Sequence, residues 1–508
     1  MSNLYTETLK EINTIAPEVG EIVGQELSDQ RSYLKMIASE NYCSPAVMAC
    51  QATVLTDKYS EGYPNHRYYS GCDNIDKLEI LGQEYANKVF NADHAYLQPS
   101  TGSDCNLMAY WAILKAKVLE PKFKEIQESY SPTRCSVLGI NYDPNNVPRT
   151  IADLTQSQWD SVRDACHKQV LLAMDYSCGG HLTHGYRQNI SSQMFRVFTY
   201  GVDSNGLLNY DTIEKQALLT KPLIILAGYS AYPRKIDFER FREIADKVGA
   251  VLMVDMAHFA GLVAGGVFTG RYNPINYADI VTMTTHKTFR GPRGGMILCK
   301  DWLASYVDNS CPTCMGGQLP QVLAAKVVAL KEAMTDEYKE YAHQIVKNSQ
   351  ALADTLIKRG IKVQTGGTDN HIVLIDVSPF GLNGRQAEYI LRECHITTNR
   401  NALPNDPNGP WYTSGVRLGT AALTTLGMKE TEMEKIGNWI ADIITNAKPF
   451  ISKTGGLFKA KARLDVDIQF KVIEGVKELL KEFPPYPTLD GKVEKPTWNN
   501  GFDSDEIE

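Results

Sequence analysis

Five short apolar runs rich in β-branched residues, Val170–Met174, Leu223–Ala227, Val251–Val254, Ile280–Met283 and Met296–Cys299, recur between stretches of helical spacing. A strand with no polar face has to be covered on both sides, and the alternation with helices supplies that cover. The pattern therefore predicts an α/β fold whose mostly parallel sheet lies in the first two-thirds of the chain. Ahead of these runs, Ala95-Tyr96-Leu97 reads as a further strand, and Pro99-Ser100-Thr101-Gly102-Ser103 opens a helix that continues through Trp111. Helical spacing is also read over Asp29–Ser39, Asn74–Phe90 and Gln321–Gln350, the last leading to a smaller α+β domain with a strand at His371–Asp376 and a helix at Gly384–Glu393.

The 508 residues leave room for two to four domains. The expected organisation is an N-terminal helical arm (1–35), a large domain (36–320), a linking helix with the small C-terminal domain (321–483), and a flexible acidic tail (484–508). Residues 116–167, with mixed charge and no strand pattern, read as an insertion in the large domain. A net charge of −7 offers no footprint for nucleic acid. No apolar run reaches the roughly 18 to 20 residues of a membrane span, and the polar N-terminus lacks the pattern of a signal peptide, so a cytoplasmic protein is expected. Eleven scattered cysteines suit reduced thiols. Cys311-x-x-Cys314 has no second pair to complete a zinc site, and no metal is expected.

The chemistry concentrates at two strand ends. Val251-Leu252-Met253-Val254 runs into Asp255, and Lys287 follows 32 residues later, after the run Ile280–Met283. Both side chains would sit at the C-terminal edge of a parallel sheet, where open α/β folds bind ligands. A lysine that forms a Schiff base and an acid that keeps a pyridine nitrogen protonated suit pyridoxal phosphate; a structural ion pair is the plainer alternative. Ser100-Thr101-Gly102-Ser103, at the start of a helix, suits a phosphate dianion, although the same residues serve as ordinary caps.

Taken together with Ile37-Ala38-Ser39-Glu40-Asn41, Lys58-Tyr59-Ser60-Glu61-Gly62-Tyr63-Pro64, Arg67-Tyr68-Tyr69, Gly179-Gly180-His181-Leu182-Thr183-His184-Gly185, Thr284-Thr285-His286-Lys287-Thr288 and Ser414-Gly415-Val416-Arg417-Leu418-Gly419-Thr420, the sequence resembles the serine hydroxymethyltransferase family, pyridoxal-phosphate enzymes of fold type I. The resemblance runs from about residue 30 to 483. It implies pyridoxal 5'-phosphate bound covalently at Lys287, with Asp255 on the pyridine nitrogen and His181 stacked on the ring. Thr101, Gly102 and Ser103 would hold the phosphate, with His286 beside the lysine and Ser230 and His258 at the phenolic oxygen. For the substrates, serine and glycine, it implies Arg417 as the carboxylate clamp with Ser39 as helper, and Glu61 as the acid/base group with Tyr69 and Tyr59 beside it. Asn401 and the backbone at Gly180 and Leu182 would contact tetrahydrofolate, the co-substrate. It also implies a homodimer with shared active sites, in which Tyr59, Glu61 and Tyr69 serve the neighbouring subunit and Gly316-Gly317 reach the partner's phosphate.

Three stretches depart from the family pattern: Gln318-Leu319-Pro320-Gln321 after the two glycines, Arg400 before Asn401, and Tyr186-Arg187 after Gly185. Two other readings share these residues. One is a folate-independent aldolase acting on threonine or other β-hydroxy amino acids; the other is a catalytically silent scaffold.

Overall fold

The computed structural model describes residues 2–137, 141–451 and 457–489. The chain divides into two compact units, one of residues 50–339 and one of residues 1–49 with 340–508. Residues 36–49, expected in the large domain, cluster with the C-terminal unit, and 321–339 cluster with the large one.

The large unit carries a seven-stranded sheet. Its strands are β1 (His94–Tyr96), β2 (Val170–Met174), β3 (Arg196–Tyr200), β4 (Ile224–Gly228), β5 (Val251–Asp255), β6 (Ile280–Thr284) and β7 (Gly295–Cys299), in the spatial order β1-β7-β6-β5-β4-β2-β3. All neighbours from β6 to β3 are parallel, and β7 alone runs against both β6 and β1. The strands formed by the five apolar runs are buried along their whole length, Leu223 alone lying partly exposed just ahead of β4. The edge strand β3 escapes the apolar reading because most of its side chains face solvent.

Five helices matter for the site or the insertion: α1 (Asp73–Phe90), α2 (Gly102–Leu114), α3 (Glu120–Ser129), α4 (Gln156–His167) and α5 (Pro320–Ala333). Helix α2 is buried almost all round, and its Met108, Ala109 and Ile113 pack with Leu171, Met253, Ile280 and Ile297 of the sheet. This packing fixes the N-terminus of α2 against the strand ends. Within the expected insertion, α3 and α4 close over a small core of their own, Leu119, Ile126 and Val162 flanked by Trp111, Tyr130 and Trp159.

The second unit holds helices at Ser2–Ile15 and Pro17–Gln30 and a four-stranded sheet. Its strands β8 (Lys362–Val363), β9 (Ile372–Asp376), β10 (Asn399–Asn401) and β11 (Gly415–Gly419) lie in the order β8-β9-β11-β10, all antiparallel. Most of α6 (Asp336–Lys358) belongs here, with α7 (Gly384–Glu393), α8 (Glu430–Asn446), the hairpin β12 (Lys448–Ile451) and β13 (Leu457–Arg463), and α9 (Val466–Glu482).

Three local expectations are corrected. Asp29–Ser39 is not a helix: it ends at Gln30, and Leu34 and Lys35 instead pair in parallel with Ile396 and Thr397. The stretch Gln321–Gln350 is two helices, α5 and α6, the second started by the Thr335 hydroxyl accepting from the Tyr338 amide. Residues 484–489 of the expected flexible tail are anchored, because Arg31 donates to the carbonyls of Pro485, Tyr486 and Leu489; residues 490–508 lie outside the described ones. Among the described residues, no helix is long and apolar enough to cross a membrane.

Candidate active site

Strands β5 and β6 are parallel neighbours, and Asp255 and Lys287 leave them at the same edge. The Asp255 carboxylate is buried and is met by donors on both oxygens. Oδ2 accepts from His184 Nε2 at 3.0 Å and Asn106 Nδ2 at 2.9 Å, and Oδ1 from the Ala257 amide at 3.0 Å. Burial alone would raise its pKa, but the hydrogen bond and electrostatic pull of His184, followed by His181 and Asn106, prevail and hold the carboxyl well below the usual range. A carboxylate has about four acceptor positions, so three donors leave one for a further N–H such as a protonated pyridine. His181 is held by the same network. Its Nδ1 accepts from the Thr183 amide and lies 2.8 Å from the Thr183 hydroxyl, which itself accepts from Asn106. Asn106 is oriented in turn by Thr282 of β6, whose hydroxyl donates to its Oδ1 at 2.6 Å.

His181, His184 and Asp255 bring possible metal-ligand atoms within 4.8 Å of one another. The converging N–H donors on Asp255 suit a hydrogen-bonded partner better than a cation, which would have to displace them. His184, Asn106 and Thr183 are not among the site residues expected from sequence. His184 stands inside a quoted motif, whereas nothing local marks Asn106, 149 residues from the carboxylate it orients.

The turn that presents Lys287 is pinned on both flanks. Thr284 and Thr288 hydroxyls donate to the carbonyls of Ala257 and His258, the Thr288 hydroxyl also accepts from the Gly261 amide, and the Gly291 amide closes onto the Thr285 carbonyl. Beside it, His286 accepts from the Gly294 amide at Nδ1. Burial first, then the charges of Lys287 and Arg293, push the His286 pKa down to about 3. Its folded pKa lies below the unfolded value of about 6.5, so the unfolded chain takes up a proton that the folded chain refuses as pH falls from 6.5 towards 3. Stability should therefore drop over that window, by at most ~1.4 kcal/mol per pH unit from this group. Urea unfolding between pH 7 and 4.5 checks this: His286→Asn should flatten the slope, and an unchanged slope would remove His286 as its source.

Thr101 caps α2, its hydroxyl accepting from the Asp104 amide at 3.1 Å, and Thr101 and Ser103 are exposed. The helix start thus presents hydroxyls and amides to solvent, a fit for a phosphate. Lys326 of α5 lies behind this turn, 2 % exposed, and donates to the carbonyls of Leu97 and Pro99, both at 2.7 Å. Burial brings its pKa down to about 8. On the other side of Asp255, the Ser230 amide donates to the Gly179 carbonyl and His258 is buried. Gly180 fits only as glycine, since a Cβ there would stand 2.1 Å from the Met174 carbonyl oxygen. Leu182 is exposed.

A second cluster unites Tyr59, Glu61, Tyr69, Gly316 and Gly317. The Tyr59 hydroxyl lies 3.5 Å from Glu61 Oε1, and the Tyr59 and Tyr69 rings meet edge to face with centroids 4.9 Å apart. A Cβ on Gly316 or Gly317 would contact Glu61 or Tyr59. Tyr59 and Tyr69 are both exposed. Gln318, the departure from the family pattern, is buried and donates to the Ser60 hydroxyl at 3.1 Å, tying the glycine loop to the segment that carries Glu61. Cys311 donates to the Gly316 carbonyl, and burial pushes its thiol up to about 12. Cys311 and Cys314 are accordingly thiols that pack and brace this loop.

In the other unit, Arg417 lies on β11 opposite Asn399 of β10, and its Nε donates to Asn399 Oδ1 at 3.0 Å, which fixes the plane of the guanidinium. The strip leading to Ser39 runs along the same strand, the Gly419 amide donating to the Met36 carbonyl at 2.8 Å. Asn401 is half-buried two residues beyond Asn399.

The family model for serine hydroxymethyltransferase matches residues 12–119 and 164–440. Its gap falls on α3 and most of α4, within the expected insertion. Among curated proteins, the chain is similar to serine hydroxymethyltransferase of Treponema pallidum, 53% identical over 475 residues, covering 93% of this chain and 79% of the relative. The Salinispora tropica enzyme of that name is 47% identical over 490 residues, covering 96% and 98%, and the Cutibacterium acnes one 48% over 488 residues, covering 96% and 95%. The family match over most of the chain and relatives of 47–53% identity over nearly its whole length show that the chain belongs to the serine hydroxymethyltransferase family of one-carbon transferases.

Proposed function

We propose that this chain interconverts L-serine plus tetrahydrofolate and glycine plus 5,10-methylenetetrahydrofolate, using pyridoxal 5'-phosphate held covalently by Lys287. The observation that carries this reading is the ionised Asp255, braced by His184 and Asn106 beside Lys287 at one strand edge. When bound, the cofactor would supply an electron sink for the bond breaking at the substrate α-carbon.

The chain's own residues divide the remaining work. Asp255 keeps the pyridine nitrogen protonated through its remaining acceptor position, and His181, oriented by Thr183, covers the ring face. Thr101, Gly102 and Ser103 hold the phosphate, and Ser230 and His258 hold the phenolic oxygen. His286 stays neutral beside Lys287. Arg417, its plane set by Asn399, grips the substrate carboxylate with Ser39 as helper, a two-pronged contact that lysine would not reproduce. Asn401 and the backbone at Gly180 and Leu182 contact tetrahydrofolate. Glu61 takes up and returns the proton of the substrate hydroxyl. Tyr59, Glu61, Tyr69 and the Gly316-Gly317 loop cluster together with the two tyrosines exposed, and in line with the family resemblance we assign them to the site of a second copy in a homodimer. None of the eleven cysteines is in a disulfide, which supports a cytoplasmic location.

The test is glycine formation from serine with and without tetrahydrofolate, together with the visible absorption of the purified protein. Strict dependence on tetrahydrofolate is expected. Equal serine cleavage without it would favour the aldolase, and an absence of both turnover and cofactor absorption would favour the scaffold. Asp255→Asn should lower turnover ~10²–10⁴-fold, because the amide no longer keeps the pyridine nitrogen protonated; full activity in that variant would remove the proposed role of Asp255.

A further inference from the structure

An ammonium group is seldom buried without a carboxylate beside it, because leaving water disfavours the charge. Lys326 of α5 breaks that pattern. It is buried, its Nζ donates to the carbonyls of Leu97 and Pro99, both at 2.7 Å, and among the described residues it forms no ion pair. The titratable groups whose fields reach it are Cys105 and Asp104 of α2, Cys311 of the short helix Ser310–Cys314, Glu79 of α1, and His286. Glu79 is itself engaged by Arg67, at 2.6 Å.

The two carbonyls lie just ahead of Ser100-Thr101-Gly102-Ser103, and the chain passes from buried at Pro99 through half-buried at Ser100 to exposed at Thr101. The Pro99 carbonyl also accepts from the Gly295 amide at the start of β7, at 3.0 Å, so both of its lone pairs are used. A trans peptide unit is flat, with its C=O and N–H on opposite sides. Holding the Pro99 oxygen on Lys326 therefore turns the Ser100 N–H away from the lysine. The turn is also packed tightly from below. A Cβ on Gly102 would stand 2.7 Å from the Thr284 methyl, and one on Gly295 would stand 2.5 Å from the Thr101 carbonyl oxygen.

The lysine tip abuts the loop behind Lys287 as well. A Cβ on Gly294 would meet Lys326 Cε at 2.5 Å and Nζ at 3.2 Å. The Gly294 carbonyl accepts from the Thr285 amide at 3.0 Å, and the Gly294 amide donates to His286. One ammonium group thus braces the turn that opens α2 and lies against the loop that backs the Lys287 turn.

We propose that Lys326 is a positioning residue for the cofactor phosphate: through the Leu97 and Pro99 carbonyls it fixes the peptide that presents the Ser100 N–H, and it sets a buried positive charge behind that turn. A charge with no counter-ion in a low-dielectric interior favours a dianion at the turn in front of it. This role rests on the assignment of Thr101, Gly102 and Ser103 to the phosphate.

The test is equilibrium dialysis of the full chain, freed of cofactor, with pyridoxal 5'-phosphate and separately with pyridoxal. The ratio of the two affinities isolates the phosphate, because the rest of the ligand is common to both. Lys326→Met should cut the preference for the phosphate ester at least about tenfold while changing pyridoxal affinity less than about twofold. The unaltered chain gives a second readout, free of folding defects. Burial brings the Lys326 pKa down to about 8, so its charge is present below that pH and lost above it. The phosphate ester stays dianionic over the same range. Burial pushes the Cys105 and Cys311 thiols far above it, and His286, at about 3, stays neutral. The preference of the unaltered chain should therefore fall several-fold from about pH 7 to about pH 9, and that of Lys326→Met should stay flat. Equal loss of both ligands in Lys326→Met, an unchanged ratio in that variant, or a flat ratio in the unaltered chain would overturn the proposal. An unaltered chain with no preference for the phosphate ester at any pH would instead remove the assignment of Thr101, Gly102 and Ser103, and the role of Lys326 with it.

Discussion

Replacing Lys287 with alanine is expected to lower glycine formation from serine at least ~10⁴-fold, and replacing it with arginine should be as damaging. Arginine keeps the positive charge but cannot supply the amine nucleophile, so equal losses in the two variants would assign the function to covalent chemistry. Retention of full turnover in Lys287→Ala would defeat the mechanism. Folding is not expected to account for the loss, because the turn is held by Thr284, Thr285, Thr288 and Gly291 through contacts that do not use the lysine side chain. The variant also reports on its neighbour. The Lys287 charge is the second cause, after burial, of the depressed His286 pKa, so its removal should let that histidine titrate nearer its ordinary range. The drop in stability below pH 6.5 should then be shallower in Lys287→Ala than in the parent chain, while Lys287→Arg should retain it.

Which parts of this site can be read from the sequence follows from how far apart the interacting residues lie. The strands ending at Asp255 and next to Lys287 announce themselves, because a strand buried on both faces leaves an unbroken apolar run and the ligand edge follows from parallel topology. The Thr101 cap is legible for the same local reason. The groups that set the electrostatics are not. Asn106 reaches Asp255 across 149 residues, His184 across 71, and Lys326 meets the Pro99 carbonyl, in the turn ahead of α2, from 227 residues away. Each is an ordinary polar residue on its own element, and only the fold makes it a partner. Asp29–Ser39 errs in the opposite sense: its spacing suits a helix, yet Leu34 and Lys35 gain backbone partners at Ile396 and Thr397 that no local pattern displays. The edge strand β3 is missed because a strand that is largely solvated has no apolar run to show.

Arg67→Ala should destabilise the chain by about 3–5 kcal/mol, the usual result of stripping one partner from a buried ion pair. The Arg67 side chain is 4 % exposed and Glu79 is 0 % exposed, with Nη2 to Oε2 at 2.6 Å. Once Arg67 is gone, Gln98 and Gln318 still donate to Glu79, but neither brings a positive charge. The same guanidinium reaches the Asp76 carboxylate through Nε and the carbonyls of Ser60 and Gly62 through Nη1, so it grips the backbone on both sides of Glu61. Gly62 is itself confined to glycine, with φ +99° and only 2.3 Å between an added Cβ and the His66 carbonyl oxygen. The loop that presents Glu61 is therefore shaped by one positive charge, and turnover should fall together with stability. Urea unfolding and steady-state rates on Arg67→Ala and Arg67→Lys separate the two effects. Lysine restores the charge but cannot span Glu79, Asp76 and two carbonyls at once, so it should recover more stability than activity. Equal recovery of both would show that Arg67 acts through charge alone and that Glu61 does not depend on the guanidinium for its position.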